Sequence, residues 1–206
     1  MEIIYHRINS IIDLEKIPNN AGVEIDVRDY KDQLILQHDP FVSGELLDPF
    51  LRKYGQRKGT LILNIKSERI EFKIIELLKN NNIVNYFFLD SSFPMIINLA
   101  NNFNVSKIAL RYSEFEKEDT ILNLAGKIEW IWIDCFSKIP GNSSIYKEFK
   151  NKGFKLCFVS PELQGQDYKI CEYIGYFKSI DVQLDAVCTK MHYYEEWNNY
   201  KISDTI

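Results

Sequence analysis

Eight short runs of apolar and β-branched residues recur along this chain of 206 residues, at 3–7, 23–28, 61–66, 86–91, 107–111, 129–135, 155–159 and 186–189. Polar turns and segments with helical periodicity fall between them, at 11–17, 43–54, 68–80, 94–101, 113–124, 143–152, 166–178 and 191–199. Strand and helix in alternation predict an α/β chain with a parallel sheet, because parallel neighbours need a crossover to connect them. Eight repeats favour closure into a (β/α)8 TIM barrel. That fold needs roughly 200 residues at the least, so short loops and some reduced helices are expected. The alternative is an open doubly wound sheet, which would normally carry a glycine-rich first turn. Here that turn is His6-Arg7-Ile8-Asn9-Ser10, with no glycine. No linker or low-complexity tract divides the chain, so one domain over 1–206 is expected. Local signals mark several helix ends: serine caps at Ser43 and Ser113, Pro94 in a first turn, and Gly153 as a stop.

Bulk properties exclude several classes. The 25 basic and 29 acidic residues give a net charge of −4, which argues against nucleic-acid binding, where a basic face is needed. No apolar run approaches the roughly 18 residues that span a bilayer. The opening MEIIYHRINS has neither a basic n-region nor an apolar core followed by a cleavage site, so no secretion signal is read and a cytoplasmic location is expected. The four cysteines, Cys135, Cys157, Cys171 and Cys188, form no CxxC pair and read as buried thiols in a reducing compartment.

The polar residues within the strands are more specific. The second run reads Gly22-Val-Glu-Ile-Asp-Val-Arg28, and a side-chain period of two puts Glu24, Asp26 and Arg28 on one face. Unpaired acids are costly to bury, and a hard divalent cation accepts carboxylate oxygens. Alone, the pair also suits a half-exposed strand with solvated acids. A barrel carries its active site at the carboxyl ends of its strands. Those ends hold His6-Arg7, Asn64-Ile-Lys66, Asp90, Arg111, Asp134, Glu162 and Lys190, and His38 returns through a short hairpin. Each also reads as the ordinary polar end of a strand.

As a set they suit phosphoryl transfer. Two carboxylates can hold a metal, which with Lys66 would neutralise phosphate charge. Of the chain's three histidines, His6 and His38 stand where a barrel would bring them to one face, as base and acid. His192 follows the last strand and reads as surface or substrate-side. Tyr193, Tyr194, Trp197 and Tyr200 read as packing within a final helix.

In the order His6-Arg7, Glu24-Ile-Asp26, His38-Asp39, the chain resembles the glycerophosphodiester phosphodiesterases, a metal-dependent branch of the phosphatidylinositol-phospholipase-C-like barrels. Ile65-Lys66, Ser91-Ser92-Phe93 and Gly153-Phe-Lys155 are weaker matches. The resemblance implies His6 and His38 as the acid–base pair, Glu24 and Asp26 as metal ligands, and Lys66 as a stabiliser of phosphate charge. It also implies one divalent cation, Mg²⁺ or Ca²⁺. The nucleophile would be an adjacent hydroxyl of the substrate, giving a cyclic phosphate that water opens. The substrate would be a small-molecule or polymeric phosphodiester.

Three departures stand out. Ile8 replaces the glycine of the family's HRG. Asn64 replaces the glutamate of its Glu-x-Lys, so the third metal ligand is an uncharged amide, with Asp90 or Asp134 as substitutes. Lys190 follows Thr189 where the family has aspartate. With Arg7 and Arg111, Lys190 is expected to bind a substrate bearing more than one negative charge. Loss of strong metal binding would leave a non-catalytic phosphate-binding barrel. A lyase stopping at the cyclic phosphate is a further alternative.

Overall fold

The structure, a computed structural model, describes the backbone of residues 1–202 and the side chains of residues 1–199. Among the described residues ten strands are found in chain order: β1 (Glu2–Tyr5), β2 (Gly22–Tyr30), β3 (Gln33–Leu36), β4 (Glu45–Leu46), β5 (Leu61–Ile65), β6 (Tyr86–Leu89), β7 (Ala109–Tyr112), β8 (Trp130–Ile133), β9 (Lys155–Val159) and β10 (Ala186–Thr189). The helices are α1 (Ile11–Leu14), α2 (Leu47–Tyr54), α3 (Glu71–Asn80), α4 (Phe93–Asn102), α5 (Glu118–Leu122), α6 (Ser143–Asn151), α7 (Ile170–Ser179) and α8 (Tyr194–Ile202).

Parallel ladders run β6-β5-β2-β1-β10-β9-β8-β7. These are the eight runs read from the sequence, in the neighbour order of a (β/α)8 barrel. The last joint, between β6 and β7, is not closed by a ladder. One isolated bridge, Phe88 with Ile108, and the N–H of Phe88 on the Lys107 carbonyl at 2.9 Å hold it. The ring therefore has a seam.

Alternation along each strand separates two apolar cores. Ile4, Ile62, Phe87, Leu89, Trp130 and Trp132 point into the barrel, while Ile3, Tyr5, Val23, Ile25 and Val27 point outward under the helices. Large and small residues adjoin inside: Ala109 is in register with Trp130, Trp132 with Cys157, and Cys157 with Ala186. The ring of Trp130 stacks on Phe87 at 4.6 Å. This explains two thiols, since Cys157 and Cys188 fill interior positions that a larger side chain would overfill. Cys135 is buried as well, but Cys171 is exposed on α7, against expectation.

Several helices differ from the periodicity reading, with α1 ending at Leu14 and α7 starting at Ile170, and two of the differences have a visible cause. Residues 45–46 pair with β3 instead of opening a helix at Ser43, so α2 starts at Leu47. The segment over 113–124 shrinks to the five residues of α5, because the Ser113 hydroxyl closes a turn with Glu116 at 2.7 Å. At the C-terminus, Trp197 is fully buried and its Nε1–H donates to Ser160 Oγ at 2.7 Å, while Tyr194 stacks on Tyr5 at 6.4 Å. The Tyr200 side chain lies outside the described residues. Among the described residues no helix is long and apolar enough to cross a membrane.

Gly22 opens β2 inside the barrel. A Cβ there would lie 2.7 Å from Ile4 Cγ1 and 2.8 Å from the Thr60 carbonyl oxygen. Overpacking of this kind costs about 1–3 kcal/mol, so Gly22→Ala is expected to lower stability by that amount, measured by chemical denaturation.

Candidate active site

The strand ends converge because the barrel forces them to. Glu24 and Asp26 occupy successive inward positions of β2, and β2 pairs with β5 so that Asp26 lies beside Asn64. Both acids are buried, at 0% and 1% exposure. Burial has been offset group by group. Glu24 Oε1 accepts from Asn64 Nδ2 at 2.9 Å. Its Oε2 accepts from the backbone N–H of Arg7 at 2.7 Å and lies 3.7 Å from His6 Nε2. Arg7 is in the left-handed region (φ 57), a conformation a non-glycine residue adopts at some cost. Here it turns the Arg7 N–H onto a buried carboxylate, and a charge-assisted bond of this length offsets the cost.

Asp26 is held from three sides. Asn9 Nδ2 donates to Asp26 Oδ2 at 2.8 Å, and Asn9 Oδ1 accepts from the Asp26 N–H, also at 2.8 Å. Arg7 Nε lies 3.5 Å from Oδ2 and Lys66 Nζ 3.5 Å from Oδ1. Lys66 also lies 3.8 Å from Asp90. Asp90 accepts from Arg111 Nη2 at 2.5 Å, and Arg111 Nη1 donates to Asp134. Gln164 completes this second cluster, donating to Asp134 Oδ1 at 2.8 Å. Burial, and then the neighbouring Asp26, raise the Glu24 carboxyl above its ordinary range. Burial, and then the Arg7 charge, lower the His6 imidazole to about 4, so this ring is neutral near pH 7.

The predicted residues therefore meet unequally. His6, Arg7, Glu24, Asp26, Asn64 and Lys66 form one contact network at the mouth. His38 approaches through the hairpin, where the N–H of Gln37 donates to the Asp26 carbonyl at 3.0 Å. Its ring is about half exposed and Nδ1 lies 2.8 Å from Asp39. Arg28 serves the hairpin, donating to the carbonyls of Gln37 and His38 at 3.2 and 3.0 Å. Arg111 is matched by Asp90, Asp134 and, at 3.9 Å, Glu116, so its charge is already countered. The substitute acids Asp90 and Asp134 are engaged by that guanidinium rather than by Glu24. Lys190 is exposed, with its charge acting on His6. Its N–H donates to buried Glu162, whose other donors include Thr189 Oγ1 at 2.7 Å.

Asn9 and Gln164 were not singled out from the sequence. The only local signal for Asn9 is an amide three residues past His6, in the turn that faces the second strand.

Could these residues hold a divalent cation? Among the described residues no three His, Cys, Asp or Glu side chains are grouped to do so. Two repelling carboxylates are nevertheless side by side, and Asn64 Oδ1 is buried without a hydrogen-bond partner among the described residues. Turning that amide over would present its oxygen to Glu24, an exchange of N and O that costs no volume. The donor set thus fits a hard cation with two charges rather than three.

Compared with models of known protein families and with curated proteins, the sequence matches none. Solved structures do match. One is a protein of Agrobacterium tumefaciens described as a glycerophosphoryl diester phosphodiesterase, with a TM-score of 0.69 and 10% identity over 100% of this chain and 99% of that one. A glycerophosphodiester phosphodiesterase of the same organism has a TM-score of 0.62 and 14% identity over 91% and 96%. A glycerophosphoryl diester phosphodiesterase from Parabacteroides distasonis has 0.61 and 14% over 98% and 86%. At such identities the likeness is one of fold, and it extends over the full length of the chain.

The reciprocal amide clamp makes Asn9 a positioning residue for Asp26. Removing a partner from a buried polar group costs about 1–3 kcal/mol. Asn9→Ala should destabilise the protein by that amount, measured by chemical denaturation.

Proposed function

We propose that this chain is a metal-dependent phosphodiester hydrolase acting on a glycerol-type phosphodiester by histidine acid–base catalysis. The observation that carries the reading is the convergence of His6, Glu24, Asp26 and Lys66 at one barrel mouth, from strands far apart in sequence. The glycerophosphodiester phosphodiesterases that share the fold support it.

The two histidines differ in a useful way. Burial keeps His6 neutral, ready to take a proton. His38 is half-buried, with Nδ1 engaged by Asp39, so Nε2 is the nitrogen left to act. In the proposed step His6 removes the proton of the attacking hydroxyl, that oxygen bonds to phosphorus, the bond to the leaving oxygen breaks, and His38 protonates the departing alcohol. Lys66, tethered between Asp26 and Asp90, stabilises charge on the phosphoryl oxygens. Glu24, Asp26 and the Asn64 amide oxygen would hold a divalent cation, Mg²⁺ or Ca²⁺, which when bound adds positive charge against the same oxygens. The attacking hydroxyl is either water or a neighbouring hydroxyl of the substrate. In the second case, stopping after one displacement makes the chain a lyase.

General acid–base groups contribute roughly 10²–10⁴-fold. His6→Ala and His38→Ala should each lower kcat/KM for a glycerophosphodiester by about that factor, with unchanged circular dichroism. Absence of turnover by the unmodified chain with Mg²⁺, Ca²⁺ or Mn²⁺, across a broad diester panel, would sink the proposal.

Asn64 favours a second reading, a phosphate-binding barrel without turnover. Asn64→Glu separates the two. It restores a third carboxylate and should tighten Mg²⁺ binding about tenfold or more, the effect of some 1.4 kcal/mol, read by calorimetry. Glycerol phosphate binding that ignores metal in both proteins would favour the second reading.

A further inference from the structure

The seam between β6 and β7 opens onto a cavity of about 420 Å³, within the range of small-molecule sites. Two features leave it there: a single bridge joins the strands, and α5 is too short to cover them. Asp90 and Arg111 line it, and the same Asp90 meets Lys66 at the mouth, so cavity and mouth share a wall. Phe93 and Ile96 form one side, and Phe115 and Ile121 the other. Phe93 and Phe115 are 48% and 77% exposed, so they add apolar surface to its lining.

Two observations specify what would fit. Ser91, which lines the cavity, is only 7% exposed, yet its hydroxyl has no hydrogen-bond partner among the described residues. A buried hydroxyl left in this state is costly, and a ligand hydroxyl would satisfy it. The charged groups on the walls cancel, with Asp90 and Glu116 against Arg111 and Lys117. A second phosphate therefore finds no surplus cation here.

We infer that the seam cavity receives the alcohol arm of the phosphodiester, and that it selects an uncharged arm with an aromatic or apolar body and a hydroxyl for Ser91. This rests on the phosphodiesterase reading and departs from a substrate with several negative charges.

The test uses the full chain and two probes, benzyl alcohol and glycerol, followed by amide chemical shifts. Benzyl alcohol should move the amides of Ser91, Arg111 and Thr120, and glycerol should not. Ser91→Ala should weaken benzyl alcohol about tenfold, the loss of roughly one hydrogen bond. Thr120→Phe, on exposed α5, fills the cavity and should abolish the shifts. In turnover, Thr120→Phe should lower kcat/KM for the 4-(hydroxymethyl)benzyl ester of glycerol phosphate, whose arm keeps a free hydroxyl, at least tenfold and leave the methyl ester unchanged. Shifts located elsewhere, or binding that survives Thr120→Phe, overturn the inference. Shifts at the seam in a protein that turns over no diester would support the cavity's ligand preference and overturn the hydrolase reading instead.

Discussion

Everything at the mouth depends on keeping two carboxylates in a space closed to water. Glu24 and Asp26 are the least exposed acids in the barrel interior, and an isolated ionised carboxylate does not survive there. The surrounding residues answer that demand. A left-handed Arg7 turns its N–H inward, Asn9 clamps Asp26 by both amide atoms, and Lys66 supplies charge. Arg7 and Asn9 come from the first turn and Lys66 from the end of β5, so the acids bind the first turn, β2 and β5 to one another.

That arrangement has a consequence for reactivity. The environment that raises the Glu24 carboxyl also lowers His6, since burial disfavours charge of either sign. His38 sits on the hairpin outside the ring with its Nδ1 on Asp39, so the two imidazoles are set at different depths.

The seam is the other architectural feature with chemical meaning. A parallel ring distributes its hydrogen bonds evenly, so a joint with one bridge is a place where the wall can widen. The chain closes eight units in 206 residues, and the shortage shows first at α5 and the β6–β7 joint. Compactness and a side opening are two effects of the same economy.

The eight strands were legible because a parallel strand covered on both faces reads as a continuous apolar run, and Glu24 and Asp26 stood out as acids within one. The shared face of Glu24 and Asp26 followed from the period of two, while Asn64 and Lys66 stood out as polar residues at a strand end. Lengths of helices did not follow: Ser113 looked like a cap, but its hydroxyl closed a turn with Glu116, and residues 45–46 found a strand partner in β3. Those outcomes are contests between local signals and distant partners, which no window of sequence contains. The same holds for Arg111, an apparent free cation until Asp90 and Asp134 arrived from neighbouring strands. The sequence by itself determined the alternation of elements and which residue types face inward, because those are local properties of the backbone. Only the tertiary structure decided which of those charges are spent on each other, that Asn9 grips Asp26, and where the ring stays open, because these depend on distances between segments that the chain order leaves free.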